Sequence, residues 1–123
     1  MWYVQLSALG GSVKRLPAAF YELPSGRSPV REWLKDLGDA DRKIIGEDIK
    51  FIEFAWPVGM PACRALGNGL WEVRSRITQG RISRVLFCIC DGSMVLLHAF
   101  IKKSQKMPDA DLGIAMKRKR EIT

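Results

Sequence analysis

No apolar run in this chain is long enough to cross a membrane, which excludes a transmembrane helix and a membrane partner. Residues 1 to 20 also lack the charged start and unbroken apolar stretch of a secretory leader, because Gly10-Gly11-Ser12 and Lys14-Arg15 interrupt it. Cysteine is scarce. Cys63, Cys88 and Cys90 make an odd count, too sparse for a disulfide scaffold, and suit a reducing cytoplasm. Histidine is scarcer still, with His98 alone, so Cys88 and Cys90 find no complete ligand set with it for zinc. They read as buried thiols, and no metal or cofactor is expected. Repeats and low-complexity segments are absent. Acidic residues are in deficit, thirteen against twenty Lys plus Arg, giving +7 and a pI near 9.7. That balance either favours a polyanionic partner such as nucleic acid or serves solubility.

What is present is an ordinary globular composition, 47% hydrophobic and 27% charged, in 123 residues, enough for one domain with its own core. Residues 1 to 16 have no clear apolar pattern and are expected to form an extension or a frayed leading strand, with 17 to 123 as a single domain. Phe20-Tyr21-Glu22-Leu23 reads as the first strand. Pro24-Ser25-Gly26 turns the chain, and Ser28 before Pro29 reads as an N-cap with proline in the first helical position. Val30, Trp33, Leu34 and Leu37 then mark a short helix ending at Gly38. Asp39 caps a second helix with the stripe Ile45, Ile49, Ile52 up to Phe54, closed by Pro57 and Pro61. Three strand-like runs follow, divided by Gln79-Gly80 and by the hairpin signal Asp91-Gly92. Pro108 and Asp109 open a last helix with Leu112, Ala115 and Met116 on one side. The order implies an α+β fold, its sheet mostly antiparallel.

The three strand runs carry the chemistry. In a strand successive side chains alternate faces, so Trp71 and Val73 oppose Glu72 and Arg74, while Val85, Phe87 and Ile89 oppose Arg84. On the same reasoning Val95, Leu97, Ala99 and Ile101 oppose His98 and Lys102. One sheet face is then apolar and the other cationic, with one carboxylate and one imidazole. Such a surface suits a site that holds, and can cut, a phosphodiester. Trp71 lies on the buried side, and Trp33 and Trp56 likewise read as packing. Lys117-Arg118-Lys119-Arg120 is either a solvated helix end opposing the dipole or a phosphate-contacting tail.

Gly26-Arg27-Ser28-Pro29-Val30 with Trp33-Leu34 and Leu37, Trp56-Pro57-Val58-Gly59-Met60-Pro61, Gly69-Leu70-Trp71-Glu72-Val73-Arg74, Arg84-Val85-Leu86-Phe87 and Leu96-Leu97-His98-Ala99-Phe100-Ile101-Lys102-Lys103 occur in order over roughly residues 20 to 120. This set resembles the RelE/HigB-like toxins of bacterial type II toxin–antitoxin modules, in particular the phage-derived HigB-like branch. The resemblance implies a microbial-ribonuclease-type α+β fold: a mostly antiparallel sheet of about four strands, two N-terminal helices and one C-terminal helix. It further implies a toxin that enters the ribosome and cuts messenger RNA without metal, the ribose 2′-hydroxyl attacking its own phosphate to leave a cyclic phosphate. Its partners are then the ribosome and mRNA, a helix-turn-helix antitoxin of HigA/XRE type and, through that antitoxin, operator DNA.

Within this resemblance Arg74 and Arg84 fall on the family's basic strand positions, and Lys102 and Lys103 on its last-strand basic pair. Arg84 and Arg74 are expected to clamp the scissile phosphate, since a guanidinium donates bidentately and stays charged. Lys102 is the second cation, or a base if desolvation lowers its pKa. His98 and Glu72 are proton carriers, against the plainer readings of a hydrogen-bonded sheet histidine and an ion pair with a neighbouring arginine. Arg76, Arg81, Lys103, Lys106, Lys117 and Arg118 are candidate RNA contacts. Some relatives use a C-terminal tyrosine, and nothing aromatic follows Phe100 here, which leaves the general acid unassigned. The alternative is a module that binds RNA, DNA or an acidic antitoxin segment and has lost cleavage.

Overall fold

The structure is a computed structural model that describes residues 13–123 and the backbone of residues 3–5; most of the expected N-terminal extension lies outside the described residues. The order of elements is β1 (Tyr3–Gln5), β2 (Ala18–Tyr21), α1 (Pro29–Lys35), α2 (Asp39–Ala55), β3 (Cys63–Gly67), β4 (Leu70–Arg76), a single 3₁₀ turn (Thr78–Gly80), β5 (Ile82–Cys90), β6 (Ser93–Ile101) and α3 (Asp109–Ile122). Five strands form the body of one mixed sheet in the order β2-β6-β5-β4-β3, and the three-residue β1 extends it beside β2. The α+β class agrees with the sequence, as does the order of a strand, two helices, further strands and a last helix. The strand count does not: β3 is an additional strand, and β2 runs parallel to β6 while the other pairs are antiparallel.

Local rules explain most of these elements. Ser28 caps α1 with Pro29 behind it, although the serine hydroxyl makes no capping bond. Gly38 does not end α1, which stops at Lys35 with Asp36 as its C-cap; Gly38 is instead the N-cap of α2. Asp39 and Asp41 occupy the first turn of α2, where the dipole favours them. Ile45, Ile49 and Ile52 are fully buried, each contributing about 1.5–3 kcal/mol over an exposed side chain. Asp91 and Gly92 both have positive φ, 52° and 76°, the tight hairpin turn that this dipeptide favours. Among the described residues no helix is long and apolar enough to cross a membrane.

Helices cover both sheet faces, and this corrects the division into one apolar and one cationic face. Against α1 and α2 lie Val73, Val85, Phe87, Met94, Leu96 and Ala99. Trp56, Trp71 and Phe87 form an aromatic cluster there, with the Trp56 and Trp71 rings edge-on at 5.0 Å, so Trp71 and Trp56 are packing residues and Trp33 joins the same core. A second core, Leu70, Leu86, Cys88, Val95 and Leu97, packs under Ala115 of α3. In β6 the expected single apolar face is broken by a bulge. Leu86 pairs with His98 but Phe87 pairs with Leu96, leaving Leu97 as an extra residue. Val95 and Leu97 consequently face α3, whereas Ala99 and Ile101 face the other core.

One buried carboxylate ties the start of the sheet to α2. Glu53 accepts hydrogen bonds from the backbone N–H of Ala18 at 2.7 Å and from the Lys14 ammonium at 3.1 Å, while its own carbonyl accepts from the N–H groups of Arg15 and Leu16. The segment leading into β2 is fixed by those four bonds.

Candidate functional site

Strand register sets the site. Arg74 of β4 lies opposite Arg84 of β5, which lies opposite Phe100 of β6; one pair further along, Glu72, Leu86 and His98 make the next row. Side chains of these rows project on the α3 side of the sheet, beyond the apolar patch that α3 covers. Lys102 follows β6 and is held by its N–H donating to the Ile82 carbonyl at 2.7 Å. The structure therefore brings Glu72 and Arg74 of β4, Arg84 of β5 and Lys102, just past β6, together.

At the centre is a buried ion pair. The Arg84 and Glu72 side chains are 2% and 1% exposed, with Arg84 Nε 3.3 Å from Glu72 Oε1. The contact is a charge pair without hydrogen-bond alignment, because Arg84 Nε and both Glu72 oxygens lack any hydrogen-bond partner. Arg84 Nη2 donates to the Gln105 carbonyl at 3.3 Å, and Nη1 reaches the Met107 sulfur at 3.9 Å. A guanidinium with five donors is thus engaged by one off-axis carboxylate, one neutral carbonyl and one thioether. Lys102 stands at the rim and donates to the Gln105 side-chain oxygen at 3.0 Å. Its ammonium pKa is pushed down, first by desolvation and then by the charges of Arg74 and Arg84, with Glu72 acting in the opposite sense. Three cations face one carboxylate here, so the cluster is short of negative charge.

His98 belongs to the edge of this group. Its Nε2 is 2.6 Å from Asp111 Oδ1 of α3, and its ring stacks on Phe100 at 5.7 Å and 28°. Arg76, Lys103 and Lys106 are exposed near the same end of the sheet, and Lys117 is exposed on α3. Arg118 is otherwise engaged: it donates to the Leu97 carbonyl at 2.7 Å, lies 5.4 Å from the Tyr21 ring centroid, and burial lowers its pKa. Tyr21 in turn donates to Glu121, and burial followed by that carboxylate raises its pKa to about 12. Arg118 thus fastens α3 to the sheet. The sequence gives no sign of Gln105, Met107 or Asp111 as site neighbours, since a connector and a helix start have no periodicity to follow.

Arg81 is also separate from the cluster. Asp41, at the start of α2, accepts from the Thr78 N–H at 2.9 Å, from the Thr78 hydroxyl at 2.7 Å and from the Arg81 guanidinium. These bonds, the Thr78 hydroxyl foremost, hold the Asp41 carboxyl below its usual range. A carboxyl with a depressed folded-state pKa stabilises the fold above the unfolded value, near 3.9, and that stability is lost as pH falls through the folded value. Asp41→Asn is accordingly expected to flatten the acid limb of a plot of urea midpoint against pH below about pH 4. An unchanged acid limb contradicts the assignment.

Cys63 and Cys88 are buried, Cys90 is half-buried and all three are free thiols. Burial pushes the Cys88 thiol up to about 11. Among the described residues no three His, Cys, Asp or Glu side chains cluster as metal ligands. A groove of about 630 Å³ runs between α2 and residues 58–62, with Phe51 and Met60 exposed along it and two of the candidate cations, Arg74 and Arg76, on its wall. Glu72, Arg84, His98 and Lys102 do not line this groove.

A family model described as phage derived protein Gp49-like (DUF891) matches residues 32–120. The chain belongs to the Gp49-like family. This phage-derived family is related to the RelE/HigB-type toxins, so the resemblance seen in the sequence is supported at the level of the family. No curated protein matches the chain. The Gp49-like region contains the whole Arg74, Arg84, Glu72 and Lys102 cluster and His98, and leaves out β1 and β2.

Proposed function

We propose that this Gp49-like protein is the toxin of a toxin–antitoxin module and a metal-independent endoribonuclease that cuts mRNA on the ribosome, in the cytoplasm. The observation that carries the reading is the convergence of Arg74, Arg84, Lys102 and Glu72 at one end of the sheet. In the reaction the 2′-oxygen forms a bond to the adjacent phosphorus, the bond to the 5′-oxygen breaks, and a cyclic phosphate and a free 5′-hydroxyl result. The pentacoordinate phosphorus carries extra negative charge, which Arg74, Arg84 and Lys102 stabilise by fixed cationic donors. Glu72 or His98 takes the 2′-hydroxyl proton, and the other returns one to the leaving oxygen. A helix-turn-helix antitoxin of HigA/XRE type neutralises the toxin, and the pair binds its own operator DNA.

Burial of Arg84 favours one second reading, a module that grips RNA or an acidic antitoxin segment with its rim cations and does not cut. Ribosome-bound message incubated with the purified chain separates the two. Cyclic-phosphate ends, with growth arrest on expression and rescue by the neighbouring antitoxin gene, are the expected result. Intact message together with normal growth removes the nuclease reading.

A further inference from the structure

The segment from Lys103 to Met107 covers the buried charge pair of Arg84 and Glu72, yet satisfies it poorly. Arg84 gives this cover only a 3.3 Å bond to the Gln105 carbonyl and a 3.9 Å contact to the Met107 sulfur. Underneath, Arg84 Nε and both oxygens of Glu72 have no hydrogen-bond partner although both side chains are almost wholly buried. Buried polar atoms in folded proteins are overwhelmingly paired, and three orphans in one contact mark a place built for something else.

The cover is also weakly held. Its two ends are fixed, Lys102 by the Ile82 carbonyl and Pro108 by capping α3, where its carbonyl accepts the Leu112 N–H. Between them no residue belongs to a helix or strand, and Lys103, Ser104, Gln105 and Lys106 are exposed. Apart from the contacts to Arg84, its polar ties are the exposed Lys102–Gln105 bond and a bond inside the segment, from the Ser104 hydroxyl to the Lys106 carbonyl. Only Met107 packs on the core.

We propose that Lys103–Met107 is a displaceable roof, and that a phosphodiester of single-stranded RNA takes the place of the Gln105 carbonyl on Arg84 when the roof lifts. The inference rests on the reading of this cluster as an RNA site. Phosphate oxygens supply charged acceptors to Arg84 where it now has a neutral carbonyl and a sulfur. Lys103 and Lys106 ride on the roof and carry positive charge to the flanking phosphates. In the closed form Arg84 is out of reach, so apparent affinity equals the intrinsic affinity multiplied by the fraction of molecules with the roof open.

That relation fixes the sign of the test. A short RNA with every 2′-hydroxyl methylated binds without being cut, and its affinity for the full chain is measured by fluorescence anisotropy. Gln105→Gly removes the bond to Lys102 and loosens the segment without touching the core, and is expected to tighten binding about 3- to 10-fold. Met107→Ala removes the sulfur contact and should tighten it as well. Adding Arg84→Met together with Glu72→Leu, which leaves no unpaired buried charge, to either variant should abolish the gain. Unchanged or weaker binding in both single variants overturns the roof, as does absence of binding in all of them. Cleavage of ribosome-bound message by the wild-type chain is scored separately and decides only the nuclease reading, so the two can fail independently.

Discussion

Arg84→Ala lowers the stability of the fold by about 3–5 kcal/mol, because it leaves the Glu72 carboxylate buried, charged and unpaired. The urea midpoint reports the loss, since the slope of the unfolding curve should stay near its wild-type value. Arg84→Met combined with Glu72→Leu tells a different story. With both charges removed and apolar volume put back, no desolvated ion remains, and the double variant should recover most of the wild-type midpoint or exceed it. Its cleavage of ribosome-bound message should nonetheless fall by about 10²-fold or more, as expected for removal of a preorganised cation from a phosphoryl-transfer site. A double variant that is stable and still cuts at the wild-type rate excludes the buried pair from the chemistry. A single Arg84→Ala variant with an unchanged midpoint contradicts the isolation of Glu72. Arg84→Lys should rescue little activity, because a single ammonium cannot reproduce the planar fork of donors.

How much of this was legible follows from the range of the forces involved. Helical stripes such as Ile45, Ile49 and Ile52, and the Asp91-Gly92 turn, are set by neighbours within a few residues and could be read directly. Alternation on β4 and β5 placed Glu72, Arg74 and Arg84 on one side and Val73 and Val85 on the other, as observed. On β6 the same rule broke at Leu97, since a bulge depends on the partner strand rather than on the residue that bulges. The parallel pairing of β2 with β6 joins distant segments and leaves no local mark. β3 is short and mostly exposed, with only Cys63 buried, so neither periodicity nor propensity singles it out. Of the basic residues, the site took those on adjacent strands. Arg81 and Arg118 went to Asp41 and to the Leu97 carbonyl, and nothing in a count of charges distinguishes a cation facing solvent from one that ties a helix to a sheet.

Lys102→Ala is the second large effect, an expected loss of about 10²–10³ in the rate of cleavage with little change in stability, because this side chain stands at the rim and its one hydrogen bond is exposed. The direction of its pKa allows its role to be separated into cation or base. Desolvation and the neighbouring Arg74 and Arg84 push the ammonium below its ordinary value, so it sheds its proton earlier on a rising pH scale than a free lysine does. A cation that stabilises the pentacoordinate phosphorus is active only while protonated. On that role cleavage falls as pH rises through the lowered pKa, and Lys102→Arg keeps most of the rate and removes the fall, since arginine stays charged throughout. A base is active only when deprotonated, which reverses the pH limb and makes Lys102→Arg as damaging as Lys102→Ala. Its placement favours the cation: Lys102 stands at the rim beside the guanidinium groups of Arg74 and Arg84, the other cations of the cluster. The expected outcome is therefore a descending alkaline limb in the wild-type chain that disappears in Lys102→Arg, measured as single-turnover cleavage of ribosome-bound message across the alkaline range.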